Sequence, residues 1–327
     1  MNGVPFYEKP PLLYWLQAAS WHLVGPTEFA IRLPSALAGI TWALSMAWFV
    51  ARHLGSRTGL WAGLIVSTAI GCQLVARSAI MDAILDLCLG LAFFELWSFF
   101  ETRRQRPLIG AWLWISIGVL DKGPIAAVLP LCSVVLFLAW ERRSAEIRSV
   151  LLAPGGLLLF ASIALPWYVL EAVQVGRPFI DTFFLQQNLE RFTGTLQGHG
   201  GSFLYYVPVV LLVLMPYAGL ALQVLWRGLT LHPRDSFERW CWSWFALVFV
   251  ILSVAQTKLP HYILYATTPL VVLMRSCNLR AVPFAAKSSF CGSVAMTWPG
   301  ETTKSRSPSS LTHGQRATRR TRGQSHS

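Results

Sequence analysis

The chain has 327 residues, of which 54% are hydrophobic and 13% are charged, whereas soluble globular domains average about 25% charged residues. This composition excludes an ordinary soluble domain and indicates a membrane protein. The formal charge of +12 does not indicate a nucleic-acid partner, since the basic residues lie in short loops and in the tail 301–327.

Apolar runs follow one another along the chain, and runs of about 17–25 residues are long enough to cross a bilayer as helices. The nine runs lie near 35–51, 58–75, 83–100, 108–121, 124–140, 150–170, 203–226, 239–256 and 261–276. The sequence therefore predicts an all-α protein, a polytopic transmembrane helix bundle of about nine spans with interfacial juxtamembrane helices. Its predicted divisions are an outer-face loop and interfacial helix over 1–34, a transmembrane core over 35–276, and an atypical C-terminal segment over 277–327, basic and disordered from about residue 302.

Lysine and arginine are unevenly divided between the two sets of loops that this alternation defines. One set holds fourteen of them, including Arg103 and Arg142, and the other holds seven, including Lys9, Lys122 and Lys258. The positive-inside rule places the richer set in the cytoplasm. The polar clusters described next all belong to the second set, so the pattern predicts a site on the outer face of the membrane.

The first outer cluster is Glu8-Lys9-Pro10-Pro11, which precedes an amphipathic stretch suited to the membrane interface. The two prolines fix the backbone and hold Lys9 at a defined depth, where a lysine can bind a lipid phosphate as a point charge. A lysine that only reaches the interface beside a helix start is the alternative. Because the chain opens on a loop sequence on the predicted outer side, we expect a preceding helix in the natural protein.

The next clusters lie at the outer ends of the following spans. Arg77 and Asp82 bracket one such end, and a carboxylate near an arginine stays ionised, so that it can orient a cation or act as a base. A pair that only staples two helix ends fits the pattern equally well, and Asp86 lies one turn deeper at i+4. The turn Asp121-Lys122-Gly123-Pro124 leaves Lys122 at the same surface, since Gly and Pro end the helix.

Two further outer segments complete the set. The segment 171–201 contains Asn188, Arg191 and His199, the last among glycines that allow a loop to approach a ligand closely; a structural lid is the alternative. The turn Lys258-Leu259-Pro260-His261-Tyr262 brings a lysine, a histidine and a tyrosine together. These three polar side chains favour a site over a bare turn.

Common nucleotide and metal motifs are missing from the sequence. The patterns G-x-x-x-x-G-K-[ST], G-x-G-x-x-G and H-E-x-x-H do not occur. The 6 cysteines are scattered without a C-x-x-C spacing, so neither a disulfide framework nor a cysteine metal site is expected.

The chain resembles the polyprenyl-phosphate-dependent membrane glycosyltransferases, most closely the aminoarabinose lipid A transferase group, which is related to the protein O-mannosyltransferases. The likeness covers about residues 2–276 and rests on six segments in the family's order: NGVPFYEKPPLLYWLQAAS, ARSAIMDAILDL, DKGPIAAVLP, LPWYV, FFLQQNLERF and TKLPHYILYATTPL. It implies transfer of a sugar, a pentose such as aminoarabinose or a hexose, from a polyprenyl-phosphate donor to a lipid A, glycan or protein acceptor. It also implies a multi-pass protein of the bacterial inner (plasma) membrane with its active face towards the periplasm and with membrane lipids as partners.

The resemblance assigns roles to the outer clusters. Asp82 is the candidate catalytic carboxylate, since the family's usual first-loop base has no match in these residues. The residues expected to bind the donor phosphate, whose charge cations stabilise, are Lys9, Lys122, Lys258 and Arg77. Those expected to contact the substrate or form a lid are His261, Tyr262, Asn188, Arg191 and His199. The resemblance makes no cofactor certain but allows a divalent metal, for which Glu8 is the candidate ligand.

Two alternatives stay open at this point. A transporter or flippase of polyprenyl-linked sugars would share the basic outer face, although transporters often show repeated halves with broken midplane helices and no such repeat is seen. A non-catalytic lipid-binding fragment is the other, because the usual base is missing.

Overall fold

The computed structural model describes residues 9–183 and 201–274, and all regular elements in those ranges are helices. The first seven are α1 Leu12–Val24, α2 Glu28–Leu54, α3 Ser56–Thr68, α4 Ile70–Arg77, α5 Asp82–Thr102, α6 Gln105–Lys122 and α7 Ile125–Trp140. The 3-10 helix Ser144–Glu146 is followed by α8 Ile147–Leu151, α9 Pro154–Ile163, α10 Leu165–Val175 and α11 Arg177–Phe179. The last are the 3-10 helix Phe203–Tyr205, α12 Tyr206–Val213, α13 Ala218–Thr230, α14 Ser236–Val254, the 3-10 helix Pro260–Ala266 and α15 Thr267–Leu273. The predicted all-α class is confirmed.

The apolar helices are those of a multi-pass membrane protein. Within the described residues, four segments are long and apolar enough to cross a membrane: Glu28–Leu54, Asp82–Thr102, Ser144–Ile163 and Ser236–Val254. A fifth span results if Ser56–Thr68 and Ile70–Arg77, bent by 59°, are counted together. Ile125–Trp140 and Phe203–Val213 are apolar but shorter. The total of about nine spans stays a prediction.

Small residues allow α2 and α3 to approach closely. An added Cβ at Gly63 would lie 2.7 Å from the Cβ of Ala47, so only glycine fits this contact, as is common where membrane helices pack through small side chains. Gly55 separates the two helices with a φ of +92°, a conformation that favours glycine. At the other end of α2, Thr27 Oγ1 accepts a hydrogen bond from the Ala30 N–H at 3.2 Å and caps the helix.

Large aromatic side chains fill the centre of the bundle and fix the segment that later carries the site. Trp240 of α14 stacks on Phe93 of α5, with 5.3 Å between ring centroids. Trp42 Nε1 donates to Thr268 Oγ1, and Trp244 Nε1 donates to the carbonyl of Tyr265, both at 3.1 Å. Buried indole N–H groups favour such acceptors. Residues 265–268 are therefore held from both sides, by α2 and by α14.

Ion pairs lie at the end of α5 opposite to Asp82. Arg143 donates twice to the Glu146 carboxylate at 2.8 Å, and Arg103, directly after α5, pairs with the same carboxylate. Arg239 of α14 pairs with Glu141, directly after α7. All five residues lie in or beside the loops predicted to be cytoplasmic, so this end of the bundle is distinct from the end that carries the outer clusters.

The first predicted division of the chain includes a described helix that packs against α2. The segment 1–34 contains α1, and Gln17 Nε2 of α1 donates to the carbonyl of Ile31 in α2 at 3.2 Å. Its location in the membrane interface stays a prediction, as do the division boundaries. The predicted C-terminal segment 277–327 lies outside the described residues.

Candidate active site

A cavity of about 420 Å³ lies at the end of the bundle where α5 begins and α6 ends. Its polar lining residues are Lys9, Asp82, Lys122, Thr257 and His261. Its aromatic lining residues are Tyr14, Phe183, Tyr262 and Tyr265. Aliphatic side chains, among them Leu13, Ile80, Ile125, Ile251 and Leu252, line the rest. Apolar walls with a few convergent polar groups are typical of small-molecule sites.

Asp82, Lys122 and Tyr265 form a closed triangle of hydrogen bonds in this cavity. Asp82 Oδ1 accepts from Lys122 Nζ at 2.6 Å and from the Tyr265 hydroxyl at 2.7 Å. Lys122 Nζ also donates to the Tyr265 oxygen at 2.6 Å. Asp82 is only 4% exposed, and a buried ion pair is tolerated when further hydrogen bonds satisfy its atoms. Tyr265 provides such bonds to both partners.

The local backbone explains why two tyrosines face Lys122. In a 3-10 helix the side chains at i and i+3 eclipse one another, and Tyr262 and Tyr265 are related in this way within Pro260–Ala266. Their rings stack with 5.8 Å between centroids. Lys122 Nζ lies 4.7 Å from the centroid of Tyr262 and 5.3 Å from that of Tyr265, within the range of cation–π attraction.

The turn after α6 sets the direction of Lys122. Gly123 ends the helix with a φ of +100° and donates its N–H to the Val119 carbonyl at 2.9 Å. That φ favours glycine. A Cβ added at Gly123 would also lie 3.1 Å from the Phe183 ring, which lines the cavity. The Gly-Pro pair read from the sequence as a turn is thus the element that positions Lys122.

His261 lies beside the ion pair without being fixed by it. Its Nε2 is 3.5 Å from Asp82 Oδ1, longer than a normal N–H···O hydrogen bond, and its ring meets the Tyr262 ring edge-on at 4.9 Å. The negative charge of Asp82 favours a protonated ring, and the positive charge of Lys122 opposes it.

Two predicted phosphate ligands do not line the cavity. Lys258 is 5% exposed, and its Nζ donates to the carbonyls of Ser253 at 2.7 Å and Ala255 at 2.8 Å. It therefore caps the C-terminal end of α14, where a cation is stabilised, and burial lowers its pKa. Arg77 ends α4 with an exposed side chain; Asp82 pairs with Lys122 instead. Phosphate binding by Lys258 and Arg77 stays a prediction without support from the cavity.

Several predicted residues lie outside the described ranges: Glu8, Asn188, Arg191 and His199. Within those ranges, no group of three or more His, Cys, Asp or Glu side chains is arranged to hold a metal ion. A divalent metal at Glu8 stays a prediction.

Three aromatic residues that line the cavity were not predicted as site residues: Tyr265, Tyr14 and Phe183. Tyr265 lies within a run predicted to be an apolar span, and its spacing of three residues from Tyr262 was the available signal. The carboxylates of Asp86 and Asp121 are also buried, and neither has a hydrogen-bond partner in the part of the chain that the structure describes. Neither lines the cavity.

Residues 8–169 match the family model of dolichyl-phosphate-mannose-protein mannosyltransferase. The chain is 28% identical over 294 residues to the undecaprenyl phosphate-alpha-4-amino-4-deoxy-L-arabinose arabinosyl transferase of Erwinia tasmaniensis, covering 86% of this chain and 52% of that protein. It is 30% identical over 280 residues to the protein of the same name from Edwardsiella ictaluri, covering 83% and 50%. The chain thus spans about half the length of these curated relatives.

The fold also matches a solved structure. The crystal structure of ArnT from Cupriavidus metallidurans bound to undecaprenyl phosphate has a TM-score of 0.75 to this chain at 23% identity. The match covers 84% of this chain and 50% of that one. The family resemblance read from the sequence is confirmed by these comparisons.

Proposed function

We propose that this chain is a member of the polyprenyl-phosphate-dependent membrane glycosyltransferases and that it transfers a sugar from a polyprenyl-phosphate donor to an acceptor. The sugar is a pentose such as aminoarabinose or a hexose, and the acceptor is lipid A, a glycan or a protein. The reaction takes place at the periplasmic face of a bacterial inner membrane. The names of the curated relatives and the basic loops at the opposite end of the bundle support this assignment.

The observation that carries the proposal is the pairing of cations with apolar walls in one cavity. Lys9 and Lys122 line it with Asp82 as the single carboxylate among the described lining residues, so their formal charges sum to +1 when His261 is neutral. A polyprenyl phosphate has an anionic head and an apolar chain, and the two parts match these two surfaces. No nucleotide site is needed, because the leaving group is itself a lipid phosphate.

Lys122 is placed to stabilise that leaving group. An ammonium carries three N–H donors, and two of them serve Asp82 and Tyr265. The third is left for a donor phosphate, on which negative charge grows as the bond from the sugar breaks. Preorganised donors aimed at developing charge contribute most in a site where water is excluded.

We expect Lys122→Met to lower kcat by about 10²–10³-fold, the usual effect of removing one such donor. Lys9→Met should weaken the reaction in the same direction without disturbing Asp82. The chain is reconstituted in vesicles, and the release of radiolabelled sugar is measured from two donor probes. These are undecaprenyl phosphate-4-amino-4-deoxy-L-arabinose and a polyprenyl phosphate mannose. Arg32→Met is the matched control, since it removes an exposed cation that pairs with Glu28 and lies outside the cavity. Equal loss in all three variants would contradict the assignment.

A further inference from the structure

Tyr265 places a buried hydroxyl group within the 3-10 helix Pro260–Ala266. The residue is 3% exposed, and the rest of the segment 263–266 is buried and apolar. Its carbonyl accepts from Trp244 Nε1 at 3.1 Å, and its ring stacks on Tyr262 with 5.8 Å between centroids. A buried hydroxyl costs free energy unless it is hydrogen-bonded. The hydroxyl group therefore has a fixed position, and its partners have to meet it there.

The number of hydrogens determines the direction of each bond that Tyr265 makes with Asp82 and Lys122. A tyrosine hydroxyl has one hydrogen and can also accept, whereas a carboxylate can only accept. The Tyr265 hydrogen therefore goes to Asp82 Oδ1 at 2.7 Å, and Lys122 Nζ donates to the Tyr265 oxygen at 2.6 Å. Lys122 Nζ also donates to Asp82 Oδ1 at 2.6 Å. The ammonium thus uses two of its three hydrogens on two fixed acceptors.

Two acceptors hold the ammonium of Lys122 more firmly than one. With a single hydrogen bond to Asp82, the head of the side chain could still turn about that bond. With a second bond to Tyr265, two of the three N–H directions are fixed, and the tetrahedral nitrogen fixes the third. Among the described residues, Lys122 donates to no further acceptor. Its side chain is 18% exposed and lines the cavity, so the third N–H is available there in one direction.

We propose that Tyr265 is a positioning residue of the transfer reaction. This inference rests on the proposed function. The hydroxyl group holds the Lys122 ammonium so that its third N–H meets the phosphate oxygen from which the sugar leaves. The hydroxyl itself forms no covalent bond and transfers no proton, and it acts through Lys122. A donor that is already aimed at the oxygen where charge grows needs no reorganisation at the moment of reaction.

Tyr265→Phe tests the hydroxyl group alone, because phenylalanine keeps the ring that stacks on Tyr262 and faces Lys122. We expect kcat to fall about 10–10²-fold, as for the loss of a hydrogen bond to a charged group. KM should stay within about threefold, since an interaction that strengthens only as the leaving group gains charge affects kcat and not ground-state binding. The probes are the two labelled donors used for Lys122→Met, and rates are expressed per monodisperse chain.

A double-variant cycle separates positioning from a structural role. If Tyr265 acts through Lys122, its hydroxyl has nothing to position once the ammonium is removed. Adding Tyr265→Phe to Lys122→Met should then change the single-turnover rate by less than about twofold, because residues that act as one unit are strongly non-additive. A structural role would lower the rate by the same factor in both backgrounds.

Tyr217→Phe is the matched control. It makes the same change at a hydroxyl that shares a 2.8 Å hydrogen bond with the Thr68 hydroxyl outside the cavity lining, and it should leave kcat unchanged. Full kcat in Tyr265→Phe, an equal further loss in the Lys122→Met background, or failure to recover Tyr265→Phe as monodisperse protein would overturn the inference. Turnover by the wild type and by Tyr217→Phe would in each case leave the proposed function in place. If the wild-type chain releases sugar from neither donor, the proposed function itself fails, and this inference fails with it.

Discussion

Asp82 and Lys122 depend on each other because both are largely removed from water. The described part of the cavity offers Asp82 no second cation in hydrogen-bonding contact, and its Oδ1 accepts from Lys122 and Tyr265 only. Removing one partner of such a pair leaves the other charge uncompensated, whereas replacing both removes the cost of burying either ion. Their stability effects should therefore not add.

We expect Asp82→Asn and Lys122→Met each to lower the thermal midpoint in detergent. The double variant should be more stable than the sum of the two losses predicts. Contacting groups in one network typically couple by about 0.5–3 kcal/mol, and a cycle of the wild type, both single variants and the double variant measures this coupling. Simple additivity would show that the two side chains do not interact as described.

For single residues, the sequence predicted which residue types lie at the cavity end better than it predicted where their side chains point. Lys9, Asp82, Lys122, His261 and Tyr262 were all predicted and line one cavity. Sequence position placed Lys258 in the correct turn, but its long side chain reaches back to the carbonyls that end α14. Helix-end carbonyls compete with a ligand for a nearby ammonium, and that competition is invisible in a linear pattern.

Helix breaks are the main difference between predicted and observed elements. The run 150–170 is divided into α8, α9 and α10, with Pro154 and Pro166 each in the first turn of a new helix. Hydropathy measures how long an apolar run is, whereas proline determines where its helix is interrupted. These breaks could have been predicted from the prolines.

The break between α3 and α4 has no such signal. Ala69, with ψ at 134°, is extended and separates the two helices without a proline or glycine at that position. The N–H of Ile70 donates to the Met215 carbonyl at 3.0 Å, and the Thr68 hydroxyl shares a hydrogen bond with the Tyr217 hydroxyl at 2.8 Å. The break is stabilised by residues about 150 positions away in sequence, a tertiary effect that overrides local propensity, so local sequence could not reveal it.

The neighbouring glycines of α9 provide a test of packing at the element scale. A Cβ at Gly156 would overlap the buried Trp112 ring, whose Nε1 donates to the Val150 carbonyl at 3.2 Å. At Gly155 the nearest contact would be an ordinary 3.6 Å to Ile109. We expect Gly156→Ala to lower stability by about 1–3 kcal/mol through overpacking.

Gly155→Ala is the matched control for that variant, since it makes the same change in the same helix. It should be neutral or slightly stabilising, because alanine favours the helix over glycine. Thermal melting monitored by size exclusion in detergent compares the two. If both variants lose stability equally, Trp112 does not approach α9 as closely as described.

At the scale of the whole molecule, the two ends of the bundle differ in chemistry. One end carries the cavity with Lys9, Asp82 and Lys122, and the other carries the ion pairs around Glu146 and Glu141. The number of basic residues near the second end predicts that it faces the cytoplasm. Composition and loop charge were sufficient to predict that the two ends differ, because they depend on the membrane and not on details of packing, and the orientation itself stays a prediction.

The orientation can be tested by labelling one cysteine at each end. In a background with all native cysteines replaced, Arg77→Cys reports the cavity end and Ser144→Cys reports the ion-pair end; both positions are exposed. A membrane-impermeant maleimide added to intact bacterial spheroplasts should label Arg77→Cys. Ser144→Cys should react only after permeabilisation, because moving the basic loops across the membrane is disfavoured. The reverse pattern would place the cavity in the cytoplasm and contradict an outer-face reaction. Labelling of both sites in intact spheroplasts would mean that the chain inserts in two orientations, and the loop charge bias would then not determine its topology.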